Sequence, residues 1–221
     1  MTTRLIVFCI FLCSLGIVSC KKEKTAKNNK LSLDPRYLEI EKINSFANCN
    51  GPNGDYITEI KSDKNGELFF SQVFEYRDLP FIAQLSSDGK GYTFDKNGKV
   101  SDTLSNISIE VIRSHDFHRL QTNPKSFFHE IKFEKDVKTD TKLYSGVDRL
   151  NNPVKIYYDK SIKQIRIIEF LNMMDTTEVI KIEYKKWIES EYGKLVKEIE
   201  IVQAKKDTFY FNFKKIEINK Q

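Results

Sequence analysis

The C-terminal half of the chain, residues 129–219, alternates apolar and polar residues in short segments separated by polar breaks. In residues 180–185 three apolar side chains alternate with three charged ones, and residues 209–213 follow the same period of two. This period places one set of side chains on a buried face and the other in water, as in an antiparallel meander. The predicted fold class is therefore mainly β with some α.

The apolar set changes face near the end of the chain. It passes from Phe209, Phe211 and Phe213 to Ile216 and Ile218, which have the opposite parity. Such phase slips are typical of bulges in strongly curved or barrel-like sheets, so we expect this sheet to be curved.

Two identical turn sequences organise the N-terminal half. Asp-Lys-Asn-Gly occurs at residues 63–66 and again at 95–98, and Asn-Gly adopts positive backbone φ at little cost. We therefore predict hairpins at both places, with strands that include residues 56–61, 68–76, 79–86 and 91–94. The flanking strands differ, so the repeat indicates two similar turns and not a duplicated domain.

Two segments predict helices packed on this sheet. Residues 35–49 begin with Asp34 as N-cap and Pro35 at the first helical position, and Gly51-Pro52 would end the helix. Residues 105–120 carry an apolar stripe at helical spacing and precede Pro124. A strand over residues 107–111 is the alternative for the second segment.

The first twenty residues are predicted to be a targeting signal and not part of the fold. Arg4 precedes an apolar run over residues 5–18, which is too short to span a membrane and is typical of a signal peptide. The following Ile-Val-Ser-Cys, ending at Cys20, resembles the bacterial lipobox. The resemblance implies cleavage before Cys20 and acylation of its sulfur, and two or three acyl chains anchor a protein stably. An ordinary secretory signal with a chance cysteine is the alternative.

These features divide the chain into three parts and predict its location. Residues 1–19 would be the signal peptide, residues 20–33 the lipidated cysteine and a flexible tether, and residues 34–221 one β-rich domain. The tether is rich in lysine and poor in apolar residues, which favours disorder and attraction to anionic headgroups. Lys21 stands where an aspartate retains enterobacterial lipoproteins in the inner membrane. By analogy we expect an outer-membrane anchor, with the domain facing the periplasm or the cell surface.

Charge and cysteine content narrow the function further. The formal net charge is only +5, and basic residues are mixed with acidic ones, so nucleic-acid binding is disfavoured. Cys49 would have no disulfide partner after signal cleavage and lipidation of Cys20. With no histidine near it in sequence, a half-buried, unreactive thiol is favoured over a nucleophile.

The end of the chain resembles lipoprotein-localisation domains such as LolA, LolB and the sigma-factor regulator RseB. The similarity lies in residues 182–219: a strand with Tyr184 and Trp187, a turn at Gly193, two further strands, and the final Ile218-Asn219. The resemblance implies a curved half-barrel whose concave face is covered by helices and holds acyl chains. It implies no catalytic residues. Carrier members are soluble, whereas this chain carries an anchor signal and in that respect is similar to the anchored acceptor type.

Aromatic side chains that share one face of predicted strands are the candidate ligand-binding residues. They are Phe70, Phe74, Tyr76, Phe209, Phe211 and Phe213. A filled hydrophobic core and a hollow that holds a lipid or acyl chain would use the same residues, so both interpretations remain open. The predicted function is binding or transfer of a hydrophobic ligand in the envelope; the alternative is a structural lipoprotein that contacts another envelope protein.

The sequence offers one candidate for a metal or catalytic site, formed by its three histidines. His115 and His118 would lie on one face of a helix, and His129 could join them as a third metal ligand of a hydrolytic zinc site. The H-E-x-x-H spacing is absent, and Arg113 and Arg119 would repel a cation. The sequence also lacks a P-loop, G-x-G-x-x-G, G-x-S-x-G and C-x-x-C. We therefore expect no enzymatic activity and no cofactor.

Overall fold

The computed structural model describes residues 29–75, 79–203 and 207–219, so the predicted signal peptide and Cys20 lie outside the described residues. One antiparallel sheet of thirteen strands accounts for most of these ranges. The elements are a 3-10 helix (Pro35–Glu39), β1 (Lys42–Gly51), β2 (Gly54–Asp63), β3 (Leu68–Phe74), β4 (Phe81–Leu85), β5 (Gly91–Phe94), β6 (Val100–Thr103), α1 (Asn106–Arg113), α2 (Phe117–Thr122), a 3-10 helix (Pro124–Ser126), β7 (His129–Lys138), β8 (Thr141–Val147), β9 (Pro153–Asp159), β10 (Gln164–Asn172), β11 (Asp175–Ser190), β12 (Gly193–Gln203) and β13 (Asp207–Asn219).

The sheet consists of two meanders joined in the middle. The spatial order is β6-β5-β4-β3-β2-β1-β13-β12-β11-β10-β9-β8-β7, so the first strand pairs with the last and β6 and β7 form the two edges. The connection between these edges contains α1, α2 and the second 3-10 helix. The sheet is open and curved, as in a half-barrel, and the helical connection packs on its concave face. This confirms the predicted fold class.

Alternation along the strands builds the concave, apolar face. In β1 and β2, for example, every second side chain is buried and the intervening ones face solvent. The inward residues of most strands form one continuous core with Phe117 and Leu120 of α2. A smaller cluster closes one end of the half-barrel and consists of Tyr37, Ile40, Ile43, Tyr192 and Leu195.

The predicted phase slip near the C-terminus is a β-bulge. Phe46 of β1 pairs with Lys215 and Ala47 pairs with Phe213, so Lys214 is the extra residue in β13. Because of this bulge, Phe211 and Phe213 enter the main core, whereas Ile218 contacts the smaller cluster and Ile216 packs against both.

The predicted N-terminal helix over residues 35–49 is wrong beyond its first turn. Asp34 does cap a helix, since its carboxylate accepts from the backbone N–H of Arg36 (3.0 Å), but that helix is a 3-10 turn that ends at Glu39. Residues 42–51 form β1, which pairs with β2 on one side and β13 on the other. Asn44, Asn48 and Asn50 are poor helix formers, and Phe46 is 37% exposed on the outer face of the strand.

The predicted internal helix over residues 105–120 is two helices. Ser105 caps α1 and accepts from the Ser108 N–H (3.2 Å), while Asp116 starts α2 by accepting from the Arg119 N–H (3.3 Å). A second N-cap inside the segment breaks it at Ser114–Asp116. None of the described helices is long and apolar enough to cross a membrane.

The two Asp-Lys-Asn-Gly turns have the same geometry, as predicted. In the first, the Asp63 carboxylate accepts from the backbone N–H groups of Asn65 (2.9 Å) and Glu67 (3.0 Å). In the second turn, the Asp95 carboxylate accepts from the backbone N–H groups of Asn97 (2.8 Å) and Lys99 (2.9 Å). Gly66 and Gly98 have φ of 93° and 75°, the left-handed region that favours glycine.

Candidate functional site

A cavity of about 280 Å³ lies on the concave face, at the end of the half-barrel opposite the smaller core cluster. Its walls come from the β1–β2 and β10–β11 hairpins, the ends of β3 and β12, the start of β13, and the junction of α1 and α2. The apolar lining residues are Tyr56, Phe74, Val111, Phe117, Phe170, Met173, Met174, Ile180, Ile182, Ile201, Phe209 and Phe211. A second depression, more open and of about 730 Å³, lies on the outer face of the sheet and has charged walls that include Lys185, Glu198 and Glu200.

The remaining lining residues are polar but uncharged, apart from two glycines. They are Asn53, Gln72, Ser114, His115, Asn172 and Gln203. No Asp, Glu, Lys or Arg of the described residues lines this cavity. An apolar cavity with a few polar groups is the usual form of a small-molecule site, and here its environment favours a ligand portion without charge.

The structure brings most of the predicted aromatic residues to this cavity. Phe74, Phe209 and Phe211 line it directly. Phe70 and Phe213 are buried next to it, with Phe70 against His115 (ring centroids 5.0 Å apart) and Phe213 against His118 (4.5 Å). Tyr76 lies outside the described residues.

His115 is the ionisable imidazole in the cavity wall. Its Nδ1–H donates to the carbonyl oxygen of Val111 (2.8 Å), and since a carbonyl only accepts, this bond fixes the proton on Nδ1. The rings of Phe70 and Phe117 contact the imidazole at centroid distances of 5.0 and 5.7 Å. Burial lowers the pKa of His115, so the ring is neutral at pH 7 and its Nε2 carries a lone pair.

The other two histidines point elsewhere, so the three do not form the metal site considered above. The Nε2–H of buried His118 donates to the backbone carbonyl of Val196 (3.0 Å), and His129 is exposed at the start of β7. The residues that the structure describes contain no group of three or more His, Cys, Asp or Glu side chains placed to hold a metal ion. The break between α1 and α2 is one reason, because it destroys the helical spacing of His115 and His118.

A buried polar network fixes α2 against the sheet, at the end away from the cavity. Both backbone groups of Val196 bond to α2, since Gln121 accepts from its N–H (3.1 Å) and His118 donates to its carbonyl. The Gln121 amide also donates to Gln164 (2.6 Å) and to the carbonyl of Lys194 (2.8 Å). These bonds hold Phe117 at the base of the cavity.

Helix α1 is held by a close approach to the sheet at Gly91. A Cβ at this position would lie 2.8–2.9 Å from side-chain atoms of Leu85, Leu104 and Ile109, so any larger residue would displace these side chains. The two helices therefore cover one end of the concave face and leave the end at the β1–β2 and β10–β11 hairpins to the cavity.

Cys49 is buried and is the free cysteine among the described residues. Its thiol lies 3.3 Å from the Thr58 hydroxyl oxygen, and burial raises its pKa to about 12. A thiol with such a pKa is protonated at neutral pH, which is the property of an unreactive cysteine.

Several lining residues were not singled out from the sequence as candidate site residues. Ile180 and Ile182 showed the period of two that marks an inward face, but nothing distinguished them from ordinary core residues. Met173 and Met174 lie in a hairpin turn, where no periodicity applies. The polar lining residues Gln72 and Asn172 form no motif and become neighbours only through strand register.

Comparisons of sequence and structure give different results. Neither a search with protein-family models nor a search of curated protein sequences finds a significant match. Solved structures do match. A LolA superfamily protein from Nitrosomonas europaea has 12% sequence identity and a TM-score of 0.58, with 84% of this chain and 91% of that chain covered.

Two further structures have the same architecture. A domain of a candidate outer membrane lipoprotein-sorting protein from Vibrio parahaemolyticus has 10% identity and a TM-score of 0.55, with 83% of this chain and 89% of that chain covered. A DUF1329 family protein from Desulfovibrio piger has 9% identity and a TM-score of 0.53, with 83% and 88% covered. The similarity confirms that this chain has a LolA-like half-barrel fold.

Proposed function

We propose that this protein is a lipoprotein of the cell envelope that binds or transfers a hydrophobic ligand, such as a lipid, an acyl chain or an acylated peptide. The observation that carries the proposal is the largely apolar cavity of about 280 Å³ on the concave face, to whose lining the described residues contribute no Asp, Glu, Lys or Arg. An open hollow lined by aromatic and aliphatic side chains is favourable for hydrocarbon, because burial of apolar surface from water stabilises the complex. The names of two neighbours in structure, a LolA superfamily protein and a candidate lipoprotein-sorting domain, support the same direction.

The proposal includes a lipid anchor at Cys20 and a location at the outer membrane. The support is the signal-peptide pattern and the Ile-Val-Ser-Cys sequence that ends at Cys20. Metabolic labelling with a palmitate analogue tests the anchor. We expect the wild-type chain to incorporate label and Cys20→Ser to remain unlabelled; equal labelling of both chains would contradict it, and density-gradient fractionation of the membranes tests the location.

Ligand binding is tested on the unlipidated chain starting at Lys21, which keeps every described element. Native mass spectrometry would look for co-purifying lipid, and titration with the uncharged fluorescent probe N-phenyl-1-naphthylamine would measure binding to the cavity. We expect saturable binding with a fluorescence increase.

Neighbouring residues of β11 provide matched variants for this titration. Ile180 lines the cavity, whereas Val179 next to it faces outward and is 51% exposed. Ile180→Trp places an indole in the hollow and should weaken probe binding at least tenfold, while Val179→Trp should leave it unchanged. A wild-type chain that carries no lipid and binds no probe would refute the proposal and favour the alternative, a lipoprotein that contacts another envelope protein.

A further inference from the structure

The described residues that line the cavity provide no charge with which a charged ligand group could pair. Its lining, as far as the structure describes it, consists of apolar residues, two glycines and six uncharged polar residues. An ionised carboxylate or phosphate inside would lose hydration without gaining an opposite charge, which is strongly unfavourable. This lining favours a ligand portion without charge.

At the α1–α2 junction, one ring nitrogen of His115 is unpartnered as far as the described residues show. The Nδ1–H of His115 is bonded to Val111, but its Nε2 has no hydrogen-bond partner among the described residues. His115 is only partly buried, and its ring lines the cavity. A neutral imidazole with its proton on Nδ1 can only accept at Nε2.

The nearest hydroxyl in the wall does not serve as this donor. The Ser114 hydroxyl donates to the same Val111 carbonyl that His115 uses (2.7 Å), which leaves its oxygen as a further acceptor. Ser114 and His115 thus present two acceptor atoms side by side at the α1–α2 junction. The group that these two acceptors lack is a hydrogen-bond donor.

We infer that the cavity selects an uncharged amphiphile whose polar group donates a hydrogen bond, such as the hydroxyl of a long-chain alcohol or a monoacylglycerol, and that His115 Nε2 accepts it. The inference rests on the proposed function and narrows it to a ligand class. It places His115 in the binding site as a specificity-determining residue with no role in covalent chemistry.

Displacement of N-phenyl-1-naphthylamine from the chain starting at Lys21 tests this inference. Three competitors share one alkyl chain: dodecan-1-ol has a donor, methyl dodecanoate has only acceptors, and dodecanoate at about pH 8 is ionised. We expect dodecan-1-ol to bind about threefold to tenfold more tightly than the ester, the range of one hydrogen bond. Dodecanoate should bind more weakly than both.

His115→Phe removes the acceptor and keeps an aromatic ring between Phe70 and Phe117. We expect this variant to lose the preference for the alcohol over the ester, which is a ratio of two affinities measured on the same variant and so does not depend on its affinity for the probe. His115→Gln, whose side-chain oxygen can accept, should retain part of the preference and provides a second test if the phenylalanine variant melts at a lower temperature.

The possible failures are distinguishable. If the wild type binds neither the probe nor any competitor, the proposed function itself fails. If the probe binds but the ester competes as well as the alcohol, only the inference fails, and a donor such as the Gln72 amide would account for ester binding. A preference for dodecanoate, or an alcohol preference that survives in His115→Phe, would also overturn it.

Discussion

Asp116 and His118 should give this protein opposite dependences of stability on pH, although they lie two residues apart. Both side chains are buried, with 5% and 1% of their surface exposed. Burial raises the pKa of Asp116 from 3.8 to about 6, in spite of the nearby charge of Arg119. Burial lowers the pKa of His118 from 6.5 to about 4. Each group is thus favoured in its neutral form in the folded state.

The signs follow from which state binds the proton. Between pH 4 and 6 folded Asp116 holds a proton that the unfolded chain has released, so its contribution to stability is present at low pH and is lost as pH rises to about 6. Between pH 6.5 and 4 the unfolded chain protonates His118 and the folded chain does not, so that contribution is lost as pH falls. A difference of about two pKa units corresponds to ~3 kcal/mol for each group, and the two effects nearly cancel in the wild type.

Asp116→Asn should reveal the loss of stability on acidification that His118 causes. Asparagine keeps the N-cap bond to the Arg119 N–H and removes the titration. We expect the free energy of unfolding of Asp116→Asn, measured with urea, to fall by ~3 kcal/mol more than that of the wild type between pH 7 and pH 4. His118→Gln should show the reverse, with a relative gain on acidification, and the exposed Asp102→Asn serves as a control for the loss of one carboxylate.

The comparison between variants cancels contributions from carboxylates elsewhere in the chain. Parallel pH curves for the wild type, Asp116→Asn and His118→Gln would refute the reasoning. That result would mean that Asp116 is ionised and His118 protonated as readily in the folded chain as in the unfolded one. Water or an alternative helix position would then have to solvate the α2 side chains.

Two further predictions concern the packing of α2 on the sheet. Gln121→Leu removes the hydrogen-bond partner of three groups: the Val196 N–H, the Gln164 side chain and the Lys194 carbonyl. The free energy of unfolding in urea should therefore fall by ~2–4 kcal/mol. Gln84→Leu on the exposed face is the control, and an equal effect of both substitutions would contradict a stabilising role of the Gln121 bonds. Phe213→Ala removes a ring that is 2% exposed and should lower the free energy of unfolding by ~3–5 kcal/mol in the same measurement. Phe46 is 37% exposed, so Phe46→Ala should lower it by less than ~1 kcal/mol.

Period-two patterns and turn chemistry were sufficient to predict most of the sheet. They are local signals, because alternation in one strand and Asn-Gly in one turn do not depend on distant residues. The Asp63 and Asp95 turns and the shift of the apolar face after Phe213 were visible in this way. The pairing of β1 with β13 was not, since no local pattern tells which of many strands meets the first one.

The N-terminal segment shows why capping signals alone are insufficient. Asp34 and Pro35 start a helix in the structure, but Ile43, Ala47 and Cys49 lie on the buried face of a strand. Ile43 and Ala47, four residues apart, also fit the approximate apolar stripe of a helix with Leu38 and Phe46, so the sequence pattern alone did not exclude a helix. Bonds to β2 and β13 on both sides decide between the two, because they satisfy every backbone group of a central strand.

The candidate site was predictable in its aromatic part and not in its polar part. Phe74, Phe209 and Phe211 follow from strand parity, which assigns them to one face. The sequence pattern singled out His115 as a candidate metal ligand together with His118, whereas in the structure it lines the cavity. The break at Asp116 turns the two imidazoles to different partners, one to the cavity and one to Val196, and that break depends on tertiary packing as much as on the N-cap itself.

The position of the cavity follows from how the half-barrel is closed. At one end, the cluster around Tyr37 and Tyr192 fills the space between sheet and connection, and the Gln121 network and Gly91 hold the helices there. The connection has only two short helices to cover a thirteen-stranded sheet, so the inward residues at the other end lack a helical cover. Their apolar surface then favours either a ligand or rearrangement of the hairpins around it. A closed end with buried hydrogen bonds and an open apolar end are compatible with the proposed binding of a hydrophobic ligand.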